Sequence, residues 1–305
     1  VVHALGAVTT SFPVLFATRI VAAVANAGFL AVAMSVAIAL VRPERQGRAT
    51  AVLLSGITLA CVAGVPAGAL LGDRAGWRWV FWAVAALCVP ALALVFRSAP
   101  ADAADRRDVA VRREARALRS PVLRRALLLA VLVNGATFAT FAYLAVVAVD
   151  VAGLPGGAVP VLLAAFGAGA FLGVTAAGRL GDAALRPAVL AALPVGWAAL
   201  ALTGSHAPPL FALAVVQGAL SFGVGSALVG RVVRVASDAP SLGGAFATVA
   251  LNLGAFLGPL AVAVASGAVG DYRAAPWVSA VLAGAALAVT GVRRPGSSRS
   301  PRVPR

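Results

Sequence analysis

The stretch ATAVLLSGITLACVAGVPAGALLGDRAGWRWV (49–80) returns, weakened, as ATVALNLGAFLGPLAVAVASGAVGDYRAAPWV (247–278). Ala49-Thr50 answers to Ala247-Thr248, Leu53 to Leu251 and Gly56 to Gly254. Further on, Gly72-Asp73 answers to Gly270-Asp271 and Trp79-Val80 to Trp277-Val278, all at one offset of 198 residues without a gap. A fixed offset of this kind marks an internal repeat. Around the two copies lie nine apolar stretches, near 12–41, 49–72, 79–96, 126–149, 158–178, 188–205, 208–230, 244–268 and 275–292. Each has the roughly 17–25 residues that a helix needs to cross a hydrocarbon core about 30 Å thick. Backbone polar groups in that core find no water, so these spans are helices. The expected class is an all-α integral membrane protein.

The charges agree. A hydrophobic fraction of 61% with 11% charged residues falls far below the roughly 25% charge of soluble chains. All 25 basic residues are arginine. Loops 42–48, 97–125, 179–187, 231–242 and 293–305 hold 3, 9, 2, 2 and 5 of them, whereas the alternate loops hold only Arg74, Arg78 and Arg273. That asymmetry is the positive-inside pattern, and it assigns the arginine-rich loops and the C-terminus to the cytoplasm. It also accounts for the net charge of +15 without a nucleic-acid partner. The lysine-free, Ala/Gly/Val-rich usage points to a GC-rich bacterial genome, hence a multi-pass protein of the bacterial inner membrane. Cys61 and Cys88 fall within apolar helices and read as buried small hydrophobes.

Both copies of the repeat follow an arginine-bearing loop and end in Gly-Asp, so they cross in the same direction and are parallel. The copies are six helices apart. Two six-helix halves related in this way, joined by a long cytoplasmic linker, resemble the major facilitators. The expected organisation is the remainder of a first half (1–96), a linker (97–125), a complete second half (126–292) and a disordered tail (293–305). Residues 1–8 read as the end of a further helix, so the chain is expected to be truncated by two helices and most of a third. The linker is read as a solvated tether, with an amphipathic helix over 105–119 as the alternative.

Arg19 is the one charge within a span, where it costs at least about 2.5–3.5 kcal/mol. It is expected to face a central cavity; snorkelling to the outer interface is the structural alternative. The repeat offset equates it with Gln217, and Asn26, seven residues on, shares its helical face. Asn134, Phe138 and Phe141 fall on one face of 126–149, beside Thr137, a stripe suited to an uncharged, partly aromatic ligand. Helix-to-helix hydrogen bonding is the structural reading of the same stripe. Gln217 with Ser221, and Asn252, add polar groups. Gly64, Pro66, Gly68 and Gly72, with Gly254, Gly258 and Pro259, are expected to form a seam on which the halves rock. In the turn Gly178-Arg179-Leu180-Gly181-Asp182, Asp182 is placed to cap a helix or to pair with an arginine. No Asp or Glu lies mid-span, so the acidic group that proton coupling usually needs is expected on the missing N-terminal helices, or as a carboxylate not seen here that works with Arg19 and its neighbours; His3 and His206 read as interfacial. No phosphate-binding loop, metalloprotease motif or acid/base pair supports an enzyme.

The segments TRIVAAVANAGFLAVAMSVA (18–37), GRATAVLLSGITLACVAGVPAGALLGDRAGWRWVFWAV (47–84), VNGATFATFAYLA (133–145), FGAGAFLGVTAAGRLGD (166–182) and VVQGALSFGVGSALVGRV (215–232) closely resemble the actinobacterial chloramphenicol-efflux transporters of the Cmx/CmlR type. These are drug:proton antiporters of the major facilitator superfamily. The resemblance implies proton-driven export of a phenicol by alternating access, antibiotic resistance, a small-molecule drug and membrane lipid as partners, a monomer, and no cofactor beyond the proton gradient. It makes Arg19 the proton-coupling arginine of the fourth helix, although Ala22-Ala23 replace the usual Gln-Gly. It makes Gly64, Pro66, Gly68 and Gly72 the antiporter motif, and Gly178, Leu180 and Asp182 the second copy of a cytoplasmic loop motif. Asn26, Asn134, Thr137, Phe138, Phe141, Gln217, Ser221 and Asn252 are the expected substrate contacts. An exporter of another drug, sugar or metabolite, and a non-transporting membrane protein or inactive gene fragment, remain as alternatives.

Overall fold

The computed structural model describes residues 1–39, 41–42, 56, 60–98, 114–236, 239, 242–269 and 271–291. Among them every regular element is a helix: α1 (Val2–Val8), α2 (Phe12–Ala39), α3 (Val65–Ala75), α4 (Trp77–Ser98), α5 (Pro121–Phe141), α6 (Val159–Leu180), α7 (Pro187–Thr203), α8 (Ala207–Val235), α9 (Gly243–Val269) and α10 (Ala274–Gly291), with short 3₁₀ and π turns between. Six segments are long and apolar enough to cross a membrane, beginning at Trp77, Pro121, Gly156, Ala207, Gly243 and Ala274; Phe12–Asn26 and Pro187–Thr203 are shorter apolar stretches. Residues 49–55 and 57–59 of the expected second span, most of the linker and the tail 293–305 lie outside the described residues.

Helix starts follow local chemistry. Proline opens α5 (Pro121) and α7 (Pro187) and stands second in α6 (Pro160) and α8 (Pro208), where its missing N–H costs nothing. The Ser120 hydroxyl accepts from Leu123 N at 3.5 Å and caps α5. Gly181, at φ 53°, turns the chain out of α6; a side chain there is strained. The expected span 126–149 is not one helix. It begins at Pro121, breaks at Ala142-Tyr143, and continues through Leu144–Val146 and a π turn, Val147–Val151.

Helices α5 to α10 share one core, including Leu129, Val133, Leu162, Phe166, Trp197, Leu210, Leu228 and Ala283. At one end of it, the Arg125 guanidinium donates to Val289 O at 2.5 Å and Thr290 O at 2.8 Å, satisfying carbonyls that the end of α10 leaves open. The Glu114 carboxylate is nearly buried and accepts from Leu242 N at 3.0 Å, next to the start of α9. The end of the linker is therefore docked rather than solvated, and residues 115–119 form a 3₁₀ turn. Helices α2 and α4 turn large apolar side chains outward, among them Phe16, Val24, Trp79, Leu87 and Leu94. Cys88 is exposed on α4, not buried as its apolar surroundings led us to expect.

Candidate functional site

Four phenylalanines form a continuous row across three helices. Phe138 meets Phe141 edge-on at 5.9 Å between centroids, Phe141 stacks on Phe166 at 4.8 Å, and Phe166 meets Phe222 edge-on at 6.1 Å. Phe166, from α6, is buried; Phe138 and Phe141 of α5 and Phe222 of α8 are half-buried. The row exists because α6 and α8 approach to backbone contact. A Cβ at Gly169 would lie 2.1 Å from Val215 O, one at Gly173 1.9 Å from Ala219 O, and one at Gly218 2.3 Å from Phe166 O. Val65 and Ala69 of α3 pack against the same core, so the row lies in the body that α3 abuts. Phe138 and Phe141 were legible as a pair. Phe166 and Phe222 were not, although Phe222 directly follows Ser221.

Three of the polar candidates are engaged with main-chain carbonyls. Asn134 Nδ2 donates to Leu251 O of α9 at 2.6 Å. Thr137 Oγ1 donates to Val133 O of its own helix at 2.8 Å. Thr140 Oγ1 and Ser279 Oγ share a hydrogen bond at 2.6 Å, joining α5 to α10. Gln217 is 0% exposed and its Nε2 donates to Leu193 O of α7 at 3.0 Å. Ser221 is buried beside it on the same helix, and among the described residues neither its Oγ nor Gln217 Oε1 has a partner. Both side chains are sealed inside the bundle. Asn26 and Asn252 are exposed.

Arg19 is also placed differently from the expectation of a central charge. It lies between α1 and α4, its guanidinium over the Phe81 ring at 4.4 Å, a cation–π arrangement. Nη2 donates to Val2 O at 3.3 Å, and Nη1 is 3.4 Å from His3 Nδ1. The Thr18 hydroxyl, donating to Leu15 O at 2.7 Å, receives Nε and Nη2 at 3.4 Å each. The repeat equivalence survives in another form: Arg19 and Gln217 each donate to a main-chain carbonyl of the helix preceding their own. Each also packs on a glycine of that helix, since a Cβ at Gly6 would lie 3.0 Å from Arg19 Nη2 and one at Gly196 2.6 Å from Gln217 Oε1.

The glycine motifs resolve into packing within each group of helices. Gly68 and Gly72 face Val80 of α4, each with a Cβ position 3.6 Å from a Val80 methyl, and the Gly64 position is open apart from Ala60 at 4.0 Å. Contact with the second group of helices comes from Val65 and Ala69, beside buried Pro66. Gly254 and Gly258 press on α5, with Cβ positions 2.5 Å from Val131 O and 2.1 Å from Gly135 O. Pro259 O accepts from the Tyr143 hydroxyl at 3.4 Å. Gly254 and Gly258 thus pack α9 closely on α5, and Gly68 and Gly72 pack α3 on α4, while α3 meets α6 and α9 meets α2 across the two groups. Gly178 has nothing within 4 Å of its Cβ position. Asp182 pairs with Arg234 at the end of α8, across two exposed side chains.

The Major Facilitator Superfamily pattern matches residues 1–193. Over 94% of its length the chain is 52% identical to the chloramphenicol resistance protein of Streptomyces lividans, covering 75% of that protein. It is 33% identical over 93% of its length to the inner membrane transport protein YdhP of Escherichia coli K12, covering 74% of it. A third relative, the uncharacterized MFS-type transporter YtbD of Bacillus subtilis, is 25% identical over 59% of the chain and 46% of its own length.

Proposed function

Because the chain belongs to the major facilitator superfamily, we propose that it exports chloramphenicol or a related phenicol in exchange for protons, by alternating access, and so confers resistance. The likeness to the Streptomyces lividans protein named for chloramphenicol resistance supports the substrate class. The observation in the fold that carries the reading is the phenylalanine row on α5, α6 and α8. Half-buried ring faces offer a planar aromatic solute a stacking surface worth about 0.5–1.5 kcal/mol per contact beyond its burial. Phe138, Phe141 and Phe222 take the ring, and the exposed amides of Asn26 and Asn252 meet polar substituents in the closed, loaded state.

The two groups of helices, 1–96 and 126–292, act as the moving halves, with α3 against α6 and α2 against α9 as their contacts. The exposed Asp182–Arg234 pair, at the end that the arginine distribution assigns to the cytoplasm, is made in one state and broken in the other. Arg19 serves the proton step. Labelled chloramphenicol accumulation in pump-deficient cells tests the whole: expression lowers accumulation, and a protonophore restores it. Accumulation equal to the empty vector, with the protein in the membrane, refutes the phenicol assignment. The likeness to YdhP favours as second reading an exporter of the same fold with another substrate, which the same cells challenged with other drugs would reveal.

A further inference from the structure

Asp271, Tyr272 and Arg273 make the turn from α9 into α10, and beside it the two helices enclose a cleft of about 630 Å³. The turn is held in shape. Asp271 Oδ1 accepts from Arg273 N at 2.9 Å, Asp271 O accepts from Ala274 N at 3.2 Å, and the Tyr272 ring stacks on Tyr143 at 5.9 Å. The two charges are only loosely paired. Asp271 Oδ2 lies 3.9 Å from Arg273 Nε, with the side chains 44% and 56% exposed. That separation is beyond hydrogen-bond length, and an exposed pair of this kind holds little energy, so both groups have capacity for other ionic partners. Away from the turn the walls are apolar. Ala261 and Ala265 of α9 are small enough to leave the space, and Val278, Val281 and Leu282 of α10 border it. Trp277 lies one helical turn from Arg273, between the two zones. From Ala274 to Leu282, α10 runs about 12 Å, close to the depth of one leaflet, about 15 Å. Asp271 and Trp277 are also repeat positions, answering to Asp73 and Trp79, and each copy has an arginine within two residues of the aspartate, Arg74 and Arg273.

We propose that this cleft seats one zwitterionic phospholipid with a primary ammonium head group, of the phosphatidylethanolamine type, in the leaflet that the arginine distribution makes the outer one. The Arg273 guanidinium donates to the phosphate, and Asp271 Oδ2 accepts from the ammonium. Trp277 lies at the level of the ester groups, where indole rings collect in membrane proteins. One acyl chain runs over Ala261 and Ala265 and against Val281 and Leu282. The choice of head group follows from the charges. A cation and an anion two residues apart match a head group that carries both signs. A purely anionic head group would leave Asp271 facing it with the wrong sign, and a choline has no N–H to give the carboxylate. The apolar depth of the cleft selects a lipid over free phosphate or a small polar solute. Both walls belong to α9 and α10, so the seated lipid ties these two helices together where only a short turn joins them.

The full-length protein is placed in phosphatidylglycerol nanodiscs with a trace of phosphatidylethanolamine that carries a photoactivatable diazirine on one acyl chain. After irradiation, the label is mapped by mass spectrometry. It is expected on peptides covering 261–282, displaced by unlabelled phosphatidylethanolamine and less well by phosphatidylcholine. Arg273→Gln should lower labelling there by about 5-fold, the factor for one arginine at a membrane surface. Asp271→Asn should erase the preference for phosphatidylethanolamine over phosphatidylcholine. Ala265→Trp, which fills the cleft and keeps both charges, should abolish the label. Arg186→Gln, an exposed change at the other end of the bundle, should leave it unaltered. Label spread evenly over the apolar helices, equal displacement by the two competitors, or labelling indifferent to Arg273→Gln and Asp271→Asn overturns the proposal. So does the absence of label at 261–282, the result if another segment of the protein or a second copy closes the cleft. None of these readouts involves transport, so they decide the lipid site whether or not chloramphenicol is the substrate.

Discussion

Three glycines of one helix separate backbone contact from mere smallness. In α6, Gly169 and Gly173 lie on the face turned to α8, whereas Gly178 has open space around it. The Gly173→Ala methyl would arrive 1.9 Å from Ala219 O, where ordinary contact begins at 3.4 Å. The obstacle is backbone in the middle of a helix, so no rotamer change relieves it. The two axes must part by about 1.5 Å at that level, the difference between those distances. Overpacking of this kind costs about 1–3 kcal/mol, and the upper end applies because the Phe166–Phe222 contact spans the same helix pair. A loss of about 2–3 kcal/mol corresponds to a fall in Tm of about 4–12 °C for a domain of this size class. Gly178→Ala replaces glycine by the best helix former in open space and should raise stability by up to about 1 kcal/mol. Thermal unfolding of both variants in the same detergent, followed by intrinsic fluorescence, gives the comparison. Equal shifts for Gly173→Ala and Gly178→Ala would refute the argument that α6 and α8 meet backbone to backbone.

Other outcomes are specific to single contacts. Phe222→Ala should weaken binding of chloramphenicol to purified protein by about 2- to 10-fold, the factor expected for one lost ring contact, with little change for a solute lacking an aromatic ring. Asp182→Asn and Arg234→Gln each remove an exposed pair worth under about 1 kcal/mol, so Tm should hold while efflux falls; the swap Asp182→Arg with Arg234→Asp should restore part of the efflux. Arg125→Gln removes a charged donor from Val289 O and Thr290 O and should cost about 1.5–3 kcal/mol of stability, read as a lowered Tm and faster exchange of the amides that end α10.

The fold was legible because a membrane makes few demands and makes them strongly. Apolar length, the arginine asymmetry and the offset of 198 residues needed no knowledge of side-chain contacts. The repeat carries over to whole elements: α2 at Phe12–Ala39 has its counterpart in α8 at Ala207–Val235, and α4 at Trp77–Ser98 in α10 at Ala274–Gly291. What escaped was local. The break at Ala142-Tyr143 leaves no proline or glycine in the sequence to announce it. The docking of Glu114 on Leu242 N depends on a contact between residues 128 apart, invisible to any window.

The site was harder to read because a polar residue in a span has two uses, and helical spacing alone does not choose between them. Asn134, Thr137 and Gln217 have the spacing of a binding stripe, and each is engaged with a main-chain carbonyl. The low-dielectric interior explains why: a buried polar group without a partner costs about 1–3 kcal/mol, so main-chain carbonyls within reach, on the same helix or a neighbouring one, are taken first. Only the side chains that such bonds leave over are available to a ligand. By that criterion the exposed amides of Asn26 and Asn252 and the half-buried rings of Phe138, Phe141 and Phe222 are within a ligand's reach, whereas Ser221 Oγ and Gln217 Oε1, without a partner among the described residues, are kept from it by burial and not by bonding. The same reasoning moves attention within the first group of helices. Arg19 alone, read from its position in a span, pointed to a central charge. With its neighbours in place its guanidinium is held by the Val2 carbonyl and His3 of α1 and by the face of Phe81 of α4, so its place is a contact between three helices.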